Sequence, residues 1–553
     1  MKGYLEGAVP YPEELIRTYV QGGWWLNRTF GDVLDSTVAR HPDKIGVIDD
    51  QATLTFEQVK AKVDRLALAF LALGIKQYDR ILFQLPNRHE FIIGFYAAHR
   101  IGAVPVLSVA RQEYQEISYF CKVAEPAAWL VPLRDGNREF KPLVERIRAE
   151  NPVLKHVIMP EAGEALPAGA LSMRELIGKV AIENYPPDYL MGFRPDPNDI
   201  ALILTTGGTT GLPKLVPRTH NSYLTNIRYT HLSDSDHDVF GLVTPIGHSM
   251  AHQGALGATF LLGGTLVLVG VPRAKEILEA VQKWRITSMG VVPTQLEDMI
   301  SQPNFGSYDL SSLRSLRTAG AALRPEVADK ARELFGKYPT KLFGGGEFGS
   351  SEGPFAGPRL GGPPPPRGSV GVPKCEGDHW KAIDDEEQAL PPGVEGELVA
   401  KGPCVFTGYY KSEAENHDIF THDGYYKMGD LGKVDAQGNI FITGRKKDII
   451  QRGGEGIMPR QIEDLLHQLP GVQQVAVVAM PDARLGEKAC AYVVLKPGAS
   501  LSFDQMVRAL RELGASVLLL PERLEIVDAL PKSSIGKTDK AALRKDIAAK
   551  LRG

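Results

Sequence analysis

Cysteine is scarce and scattered. The chain of 553 residues has four, Cys121, Cys375, Cys404 and Cys490, and no C-x-x-C pair. That spacing argues against a disulfide framework or a zinc site and fits a reducing cytoplasm. A one-sided charge is also missing. The formal net charge of −3 gives no electrostatic footing for nucleic acid or an anionic membrane. The N-terminus, MKGYLEGAVPYPEE, has proline and acids where a signal peptide would need an apolar run. One charge-free stretch, Gly254 to Val271, is eighteen residues long, the short limit for a membrane span. Gly263-Gly264 breaks it into GALGATFLL and TLVLVGV, which read as a buried helix and then a buried strand. There is no internal repeat.

What is present is ordinary globular material, 43% hydrophobic and 23% charged, in a chain too long for one core. Thr55 and Gln58 form a capping-box pattern, and Val59, Val63, Leu66, Ala67 and Phe70 follow on one helical face that Gly74 ends. ILFQL reads as a strand, FIIGFYAAHRIG as a helix and VPVL as a strand. LVLVGV and SMGVV continue the β-α-β rhythm of a doubly wound parallel sheet. The four prolines of GGPPPPRG remove backbone donors and predict a surface loop. A boundary falls at Gly444-Arg445-Lys446-Lys447-Asp448. VQQVAVVAM, CAYVVL and a helix from Phe503 follow it, enough for a small α/β domain.

The strongest local signal is Leu202-Ile203-Leu204-Thr205-Thr206-Gly207-Gly208-Thr209-Thr210-Gly211-Leu212-Pro213-Lys214. An apolar strand runs into a loop of glycines and threonines and then a lysine. Glycines let backbone N–H groups approach a phosphate, hydroxyls add donors, and the lysine adds a mobile charge. A Walker motif is excluded, because Leu212 and Pro213 part Gly211 from Lys214 and Leu215 stands where the magnesium-binding hydroxyl would be.

TTGGTTGLPK followed by PRTH resembles the phosphate-binding signature of the adenylate-forming superfamily: acyl- and aryl-CoA ligases, nonribosomal adenylation domains and firefly luciferase. The likeness continues along nearly the whole chain. It extends to the stand-alone aryl acid–AMP ligases of siderophore or nonribosomal peptide biosynthesis, whose N-terminal segment resembles RTYVQGGWWLNRTFGDVL. The resemblance implies a large N-terminal domain (1–444) of doubly wound sheets with a distorted β-barrel subdomain, and a small mobile C-terminal α/β domain (445–553). Thr206, Gly207, Gly208, Thr209, Thr210 and Lys214 would hold the phosphates of ATP.

The other site residues follow from the same resemblance. Tyr425-Tyr426-Lys427-Met428-Gly429-Asp430 is similar to the family's Y-x-S/T-G-D, in which Asp430 would accept from the ribose hydroxyls, with Ile442 near the base and Arg445 at the ribose or phosphate. Lys447 would be the hinge. Leu530 to Lys537 resembles P-x-x-x-x-G-K, so Lys537 would bridge the acyl carboxylate and the α-phosphate, a mobile cation where two anions meet. Lys532 and Lys540 read as solvated neighbours. Phe348-Gly349-Ser350-Ser351-Glu352 resembles Y-G-x-T-E, giving Ser351 to phosphate and Glu352 to Mg²⁺. Phe343-Gly344-Gly345-Gly346-Glu347 fits too, with Glu347 as the alternative. Thr318-Ala319-Gly320-Ala321-Ala322 would pack on adenine. Thr244-Pro245-Ile246-Gly247-His248 is similar to P-x-x-H beside the acyl pocket, so His248 joins Lys537 and Glu352 as a catalytic candidate. Ser249, Ala319, Gly320 and Gly344 would line that pocket, with His252 and Gln253 near.

The chain departs from the 2,3-dihydroxybenzoate and salicylate ligases at several points. Ser249 replaces their asparagine, the following segment is two residues shorter, Ala319 replaces a glycine, and Gly456 replaces a lysine. These departures leave open another substituted benzoate, an aminobenzoate or a heteroaromatic acid. The implied reaction makes aryl-AMP from ATP with Mg²⁺, then transfers the acyl group to the phosphopantetheine thiol of a separate carrier protein. Free CoA is the alternative acceptor. A luciferase-like oxygenase and a non-catalytic nucleotide-binding protein are the remaining rivals.

Overall fold

Strands buried on both faces must run through the middle of a layered fold. Ile200–Thr205 is buried at all six positions and Val104–Leu107 at all four. The computed structural model describes residues 4–161, 166–206, 213–320, 323, 325–338, 341–342, 347–359, 362–452, 455–533 and 537–551. Two compact units emerge. One spans Met1–Thr206, Leu212–His379 and Lys401–Ile419; the other spans Trp380–Ala400 and Phe420–Gly553.

The first unit holds two seven-stranded sheets. In one, the order is Leu215–Thr219, Ile200–Thr205, Val104–Leu107, Arg80–Phe83, Ala128–Leu130, His156–Met159 and Ala170–Ser172. In the other it is Lys341–Leu342, Ser315–Thr318, Ser288–Val291, Val239–Leu242, Thr265–Leu268, Ile45–Ile48 and Thr53–Thr55. Pairing is parallel except at one edge of each, Ile200–Thr205 with Leu215–Thr219 and Ile45–Ile48 with Thr53–Thr55. The capping box begins the helix Phe56–Ala72 as the sequence predicts: Gln58 N–H donates to Thr55 Oγ1 at 3.2 Å and Thr55 N–H to Gln58 Oε1 at 3.0 Å. Reciprocal capping of this kind contributes about 1 kcal/mol.

The charge-free stretch differs in detail from the expected helix. A π-helical turn, His252–Gly257, leads into the short helix Ala258–Leu262, which Gly263 ends at φ +90°. The strand Thr265–Leu268 follows. No helix among the described residues is long and apolar enough to cross a membrane. Residues 362–368 of the proline run lie outside helix and strand, as the missing donors require.

In the second unit, Tyr426–Val434 pairs antiparallel with Gly396–Lys401 and with Ile440–Arg445, in a four-stranded sheet that His379–Ile383 completes. The 3-10 turn Lys446–Asp448 follows. Val472–Asp482 and Gly486–Leu495 then form a hairpin, and Arg523–Ile526 joins it in parallel. One face packs on Ile462, Leu466, Met506 and Leu510. The other packs on Leu543 and Ile547 of the helix Lys540–Lys550.

Candidate active site

The phosphate-loop candidate grows from an antiparallel hairpin. Thr205 pairs with Leu215. Beyond them Thr206 N–H donates to the Lys214 carbonyl at 2.9 Å, and Lys214 N–H donates to Thr206 Oγ1 at 3.2 Å. The two ends of the loop are therefore clamped together. Gly207, Gly208, Thr209 and Thr210 lie outside the described residues. Lys214 Nζ stands 3.5 Å from Glu415 Oε1 and 4.4 Å from the centre of the Tyr409 ring.

Tyr409 carries that connection on to Glu352. Its hydroxyl donates to Glu352 Oε1 at 2.9 Å. Ser351 and Glu352 are both buried in a turn fixed from two sides. Arg218, itself buried, donates to the Ser351 carbonyl at 2.9 Å and to the Cys404 carbonyl at 2.7 Å. Gly353, at φ +119°, lies so close to the Cys404 carbonyl that a Cβ there would sit 1.8 Å from its oxygen. Only glycine permits this approach.

Glu347 occupies a different environment. Its N–H donates to the Thr318 carbonyl at 2.7 Å, in a parallel bridge to Ala319. Burial pushes its carboxyl pKa up, against the opposing charges of Arg317 and Lys374. Arg317 also donates to Asp234 Oδ2 at 2.6 Å. Burial alone would raise the Asp234 pKa, but His231 and Arg317 hold it well below the usual carboxylate range. Glu347 thus faces two cations and the Asp234 carboxylate, with burial outweighing the cations, while Glu352 takes a neutral hydroxyl. A single carboxylate acting alongside substrate phosphates is a donor set that suits Mg²⁺, and Glu352 fits it better. Ala319 and Gly320 end the strand Ser315–Thr318, with Gly320 at φ +88°. Ala321 and Gly344 lie outside the described residues.

The acyl-pocket candidates follow the strand Val239–Leu242. Asn87 anchors the segment: its amide donates to the Thr244 and Val269 carbonyls at 3.0 and 3.1 Å, and its Oδ1 accepts from Ile246 N–H at 2.9 Å. Gly247 packs on Ser108, whose carbonyl oxygen would be 2.0 Å from any Cβ. His248 caps the turn Ser249–Ala251, its Nδ1 accepting from Met250 N–H at 3.3 Å. His252 opens the π-helical turn and packs 4.5 Å, ring centre to ring centre, from Phe95. Burial pushes its pKa down to about 3, so it is neutral. Neither ring nitrogen has a hydrogen-bond partner among the described residues.

The second unit carries its own set. Asp430, buried, pairs across the ladder with Arg445, whose Nε donates to Asp430 Oδ1 at 2.8 Å. The Ile442 carbonyl accepts from Arg460 at 2.9 Å. Met428, Gly429, Arg445, Lys446 and Lys447 line a cavity of about 320 Å³. Of these cations, Arg445 is paired with Asp430, and Lys446 Nζ lies 2.9 Å from Glu397 Oε2 and 3.1 Å from Asp385 Oδ1. Lys537 is exposed on a loop closed by Ser533 N–H to the Lys537 carbonyl at 2.7 Å, just before the helix Lys540–Lys550. Lys540 departs from expectation. It is not solvated but half-buried, 2.7 Å from Glu463 Oε1, because the helix start lays it against Pro459–Leu466. Lys532 stays exposed, with Nζ 3.4 Å from Thr538 Oγ1.

The residues unassigned from sequence are Arg218, Tyr409 and Asn87. Arg218 lies in the PRTH segment and Tyr409 in Gly408-Tyr409-Tyr410. A buried arginine and a paired tyrosine beside glycine were visible as residue types, but their partners are distant in sequence.

A family model described as AMP-binding enzyme matches residues 34–410, and one described as AMP-binding enzyme C-terminal domain matches residues 461–537. The chain belongs to the AMP-binding enzyme family. It is 32% identical over 553 residues to the 2,3-dihydroxybenzoate-AMP ligase of Bacillus subtilis (strain 168), covering 99% of both chains. It is also 32% identical over 551 residues to the salicyl-AMP ligase / salicyl-S-ArCP synthetase of Mycobacterium tuberculosis (strain ATCC 25618 / H37Rv), covering 98% of this chain and 94% of that one. Among solved structures, the apo structure of Mycobacterium smegmatis MbtA is similar at TM-score 0.73 and 31% identity, covering 98% of this chain and 99% of the other.

Proposed function

We propose that this protein is an aryl acid–AMP ligase that passes its acyl group to a phosphopantetheine thiol. The observation that carries the reading is the full-length likeness to two aryl acid–AMP ligases, through both family regions. In the first half-reaction an aromatic carboxylate oxygen attacks the α-phosphorus of ATP, the bond to the bridging oxygen breaks, and pyrophosphate leaves. Thr206 and Lys214 hold the phosphate loop at its base. Glu352, with Ser351 beside it, would hold Mg²⁺, which supplies charge neutralisation at the phosphates. Tyr409 fixes the Glu352 carboxylate and keeps Lys214 near it.

Asp430 receives the ribose hydroxyls, with Ile442 near the base and Arg445 supporting the carboxylate. Lys537 brings the two anions together and stabilises charge developing at phosphorus. His248 and Ser249 sit beside the aromatic acid. In the second half-reaction the 445–553 domain turns about Lys447, a thiol attacks the acyl carbon, and AMP leaves. The acceptor is a separate carrier protein, in a reducing cytoplasm that matches four unbridged cysteines.

ATP–pyrophosphate exchange over dihydroxybenzoates, salicylate, aminobenzoates, heteroaryl acids, medium-chain fatty acids and amino acids tests the reading. Exchange with one aryl acid supports it; exchange only with fatty or amino acids sinks it. Supplying carrier protein or free CoA to the same enzyme then separates the two acceptors by which thioester forms.

A further inference from the structure

The side chains of Cys375, Asp378 and Cys404 take no part in the proposed chemistry. Each offers one ligand atom, and these atoms lie within 4.8 Å of one another. All three residues are buried, Asp378 at 4% exposure and the two cysteines at 1%. Asp378 Oδ1 accepts from Cys404 N–H at 3.1 Å, but its Oδ2 has no hydrogen-bond partner among the described residues. A buried carboxylate oxygen without a partner is costly, so the group is poised for a ligand.

We propose that these three side chains form a site for a thiophilic divalent cation, zinc by the chemistry of the donors. Two sulfurs select a soft or borderline metal over Mg²⁺. Three protein donors with one water complete a tetrahedral shell. With Zn–S near 2.3 Å, tetrahedral ligands stand roughly 3.7 Å apart, so donors already within 4.8 Å close on the ion by shifts under about 1 Å. Binding releases the two thiol protons to solvent and involves no change of oxidation state. The Arg218 guanidinium, donating to the Cys404 carbonyl at 2.7 Å, offsets the anionic donors.

The surroundings are built for a closed site. Gly402 comes so near that a Cβ would lie 2.3 Å from Asp378 Oδ1, and Gly377 packs against the Trp24 ring. Trp25 Nε1 donates to the Pro403 carbonyl at 2.9 Å, and Tyr11 donates to the Val405 carbonyl. Tyr11, Tyr19 and Trp25 form one buried aromatic cluster. The N-terminal aromatic segment therefore roofs the loop that carries Cys404. The ion would join the chain where it leaves the first unit after His379 to where it re-enters at Lys401. The same strip, through Phe406 N–H to the Glu352 carbonyl at 2.7 Å, supports the Glu352 turn.

The test uses full-length enzyme expressed in zinc-supplemented medium and purified without chelator. Elemental analysis reads about one zinc per chain in the wild type and in the C121S/C490S variant, whose substitutions lie in other cores, and background levels in C375S and C404S. Cobalt loaded in place of zinc gives thiolate charge-transfer absorption. Because the serine variants can misfold, zinc K-edge absorption on the wild type reads the ligands directly, with two sulfurs in the shell. Three results overturn the site: wild-type zinc no higher than in C404S, a shell of nitrogen and oxygen alone, or an intact mass two hydrogens low from a Cys375–Cys404 disulfide.

Discussion

The Tyr409 hydroxyl donates to Glu352 Oε1 at 2.9 Å, while the same ring lies 4.4 Å from Lys214 Nζ. One aromatic side chain thus ties the loop lysine to the carboxylate proposed for Mg²⁺. Tyr409→Phe keeps the ring and removes the hydroxyl. A hydrogen bond to a charged group contributes about 1.5–3 kcal/mol, so the KM for MgATP in pyrophosphate exchange rises at least tenfold with the melting temperature little changed. An unaltered KM separates Tyr409 from the nucleotide site.

Glu352 and Glu347 are distinguished by what faces them. Glu352→Gln raises the Mg²⁺ concentration for half-maximal exchange roughly tenfold. Glu347→Gln removes the buried carboxylate that faces Lys374 and Arg317, leaving Asp234 as the remaining counter-charge at 2.6 Å from Arg317, and removing one member of such a set costs on the order of 3 kcal/mol. That variant shows a lowered melting temperature and an unchanged Mg²⁺ requirement. The reverse pattern in a paired magnesium titration and thermal melt exchanges the two assignments.

Much of this was legible in the chain itself. The Thr55/Gln58 cap, the short apolar strands and the order of motifs follow from local pattern, where each residue's partner is a few positions away. Tyr409–Glu352, Arg218–Ser351 and Cys375–Cys404 were not legible, because sheet topology alone brings those partners together. Lys540 was misread for the same reason, since Glu463 lies on another helix. The π-helical turn at His252–Gly257 breaks the ordinary helical period that pattern reading assumes.

Asp430 is buried and accepts from Arg445 at 2.8 Å. Asp430→Ala removes the ribose acceptor and releases Arg445. The KM for ATP rises tenfold or more, by the strength of charge-assisted hydrogen bonds, while the KM for the aryl acid changes little. Steady-state exchange with each substrate varied in turn reads the difference. Equal changes in both constants point to a folding defect instead.

Lys537 is exposed on its closed loop, which suits a side chain that serves only one half-reaction. Lys537→Ala lowers pyrophosphate exchange by about 10²–10³, the effect of removing one group that stabilises transition-state charge. Thioester formation from supplied aryl-AMP stays near the wild-type rate. Equal losses in both assays remove Lys537 from the adenylation step.

Lys447, the proposed turning point, has an exposed side chain, yet the protein crowding its ammonium and the charge of Arg445 push its pKa down to about 8. Lys446 beside it moves the other way, held above its usual value first by its hydrogen bond to Glu397. The neutral amine of Lys447 therefore appears as pH rises through about 8, while Lys446 stays protonated. Limited labelling with an amine-acylating reagent, followed by peptide mass spectrometry, gives a Lys447 yield that levels off above pH 8 and a Lys446 yield that is still climbing. The sign for stability follows from the same shift. The unfolded chain binds the extra proton between pH 8 and the ordinary lysine value of 10.5, so Lys447 makes stability rise with pH across that window. Because the side chain is exposed, solvent screening keeps that contribution small. Parallel labelling curves for the two lysines contradict the assignment of a lowered pKa to Lys447.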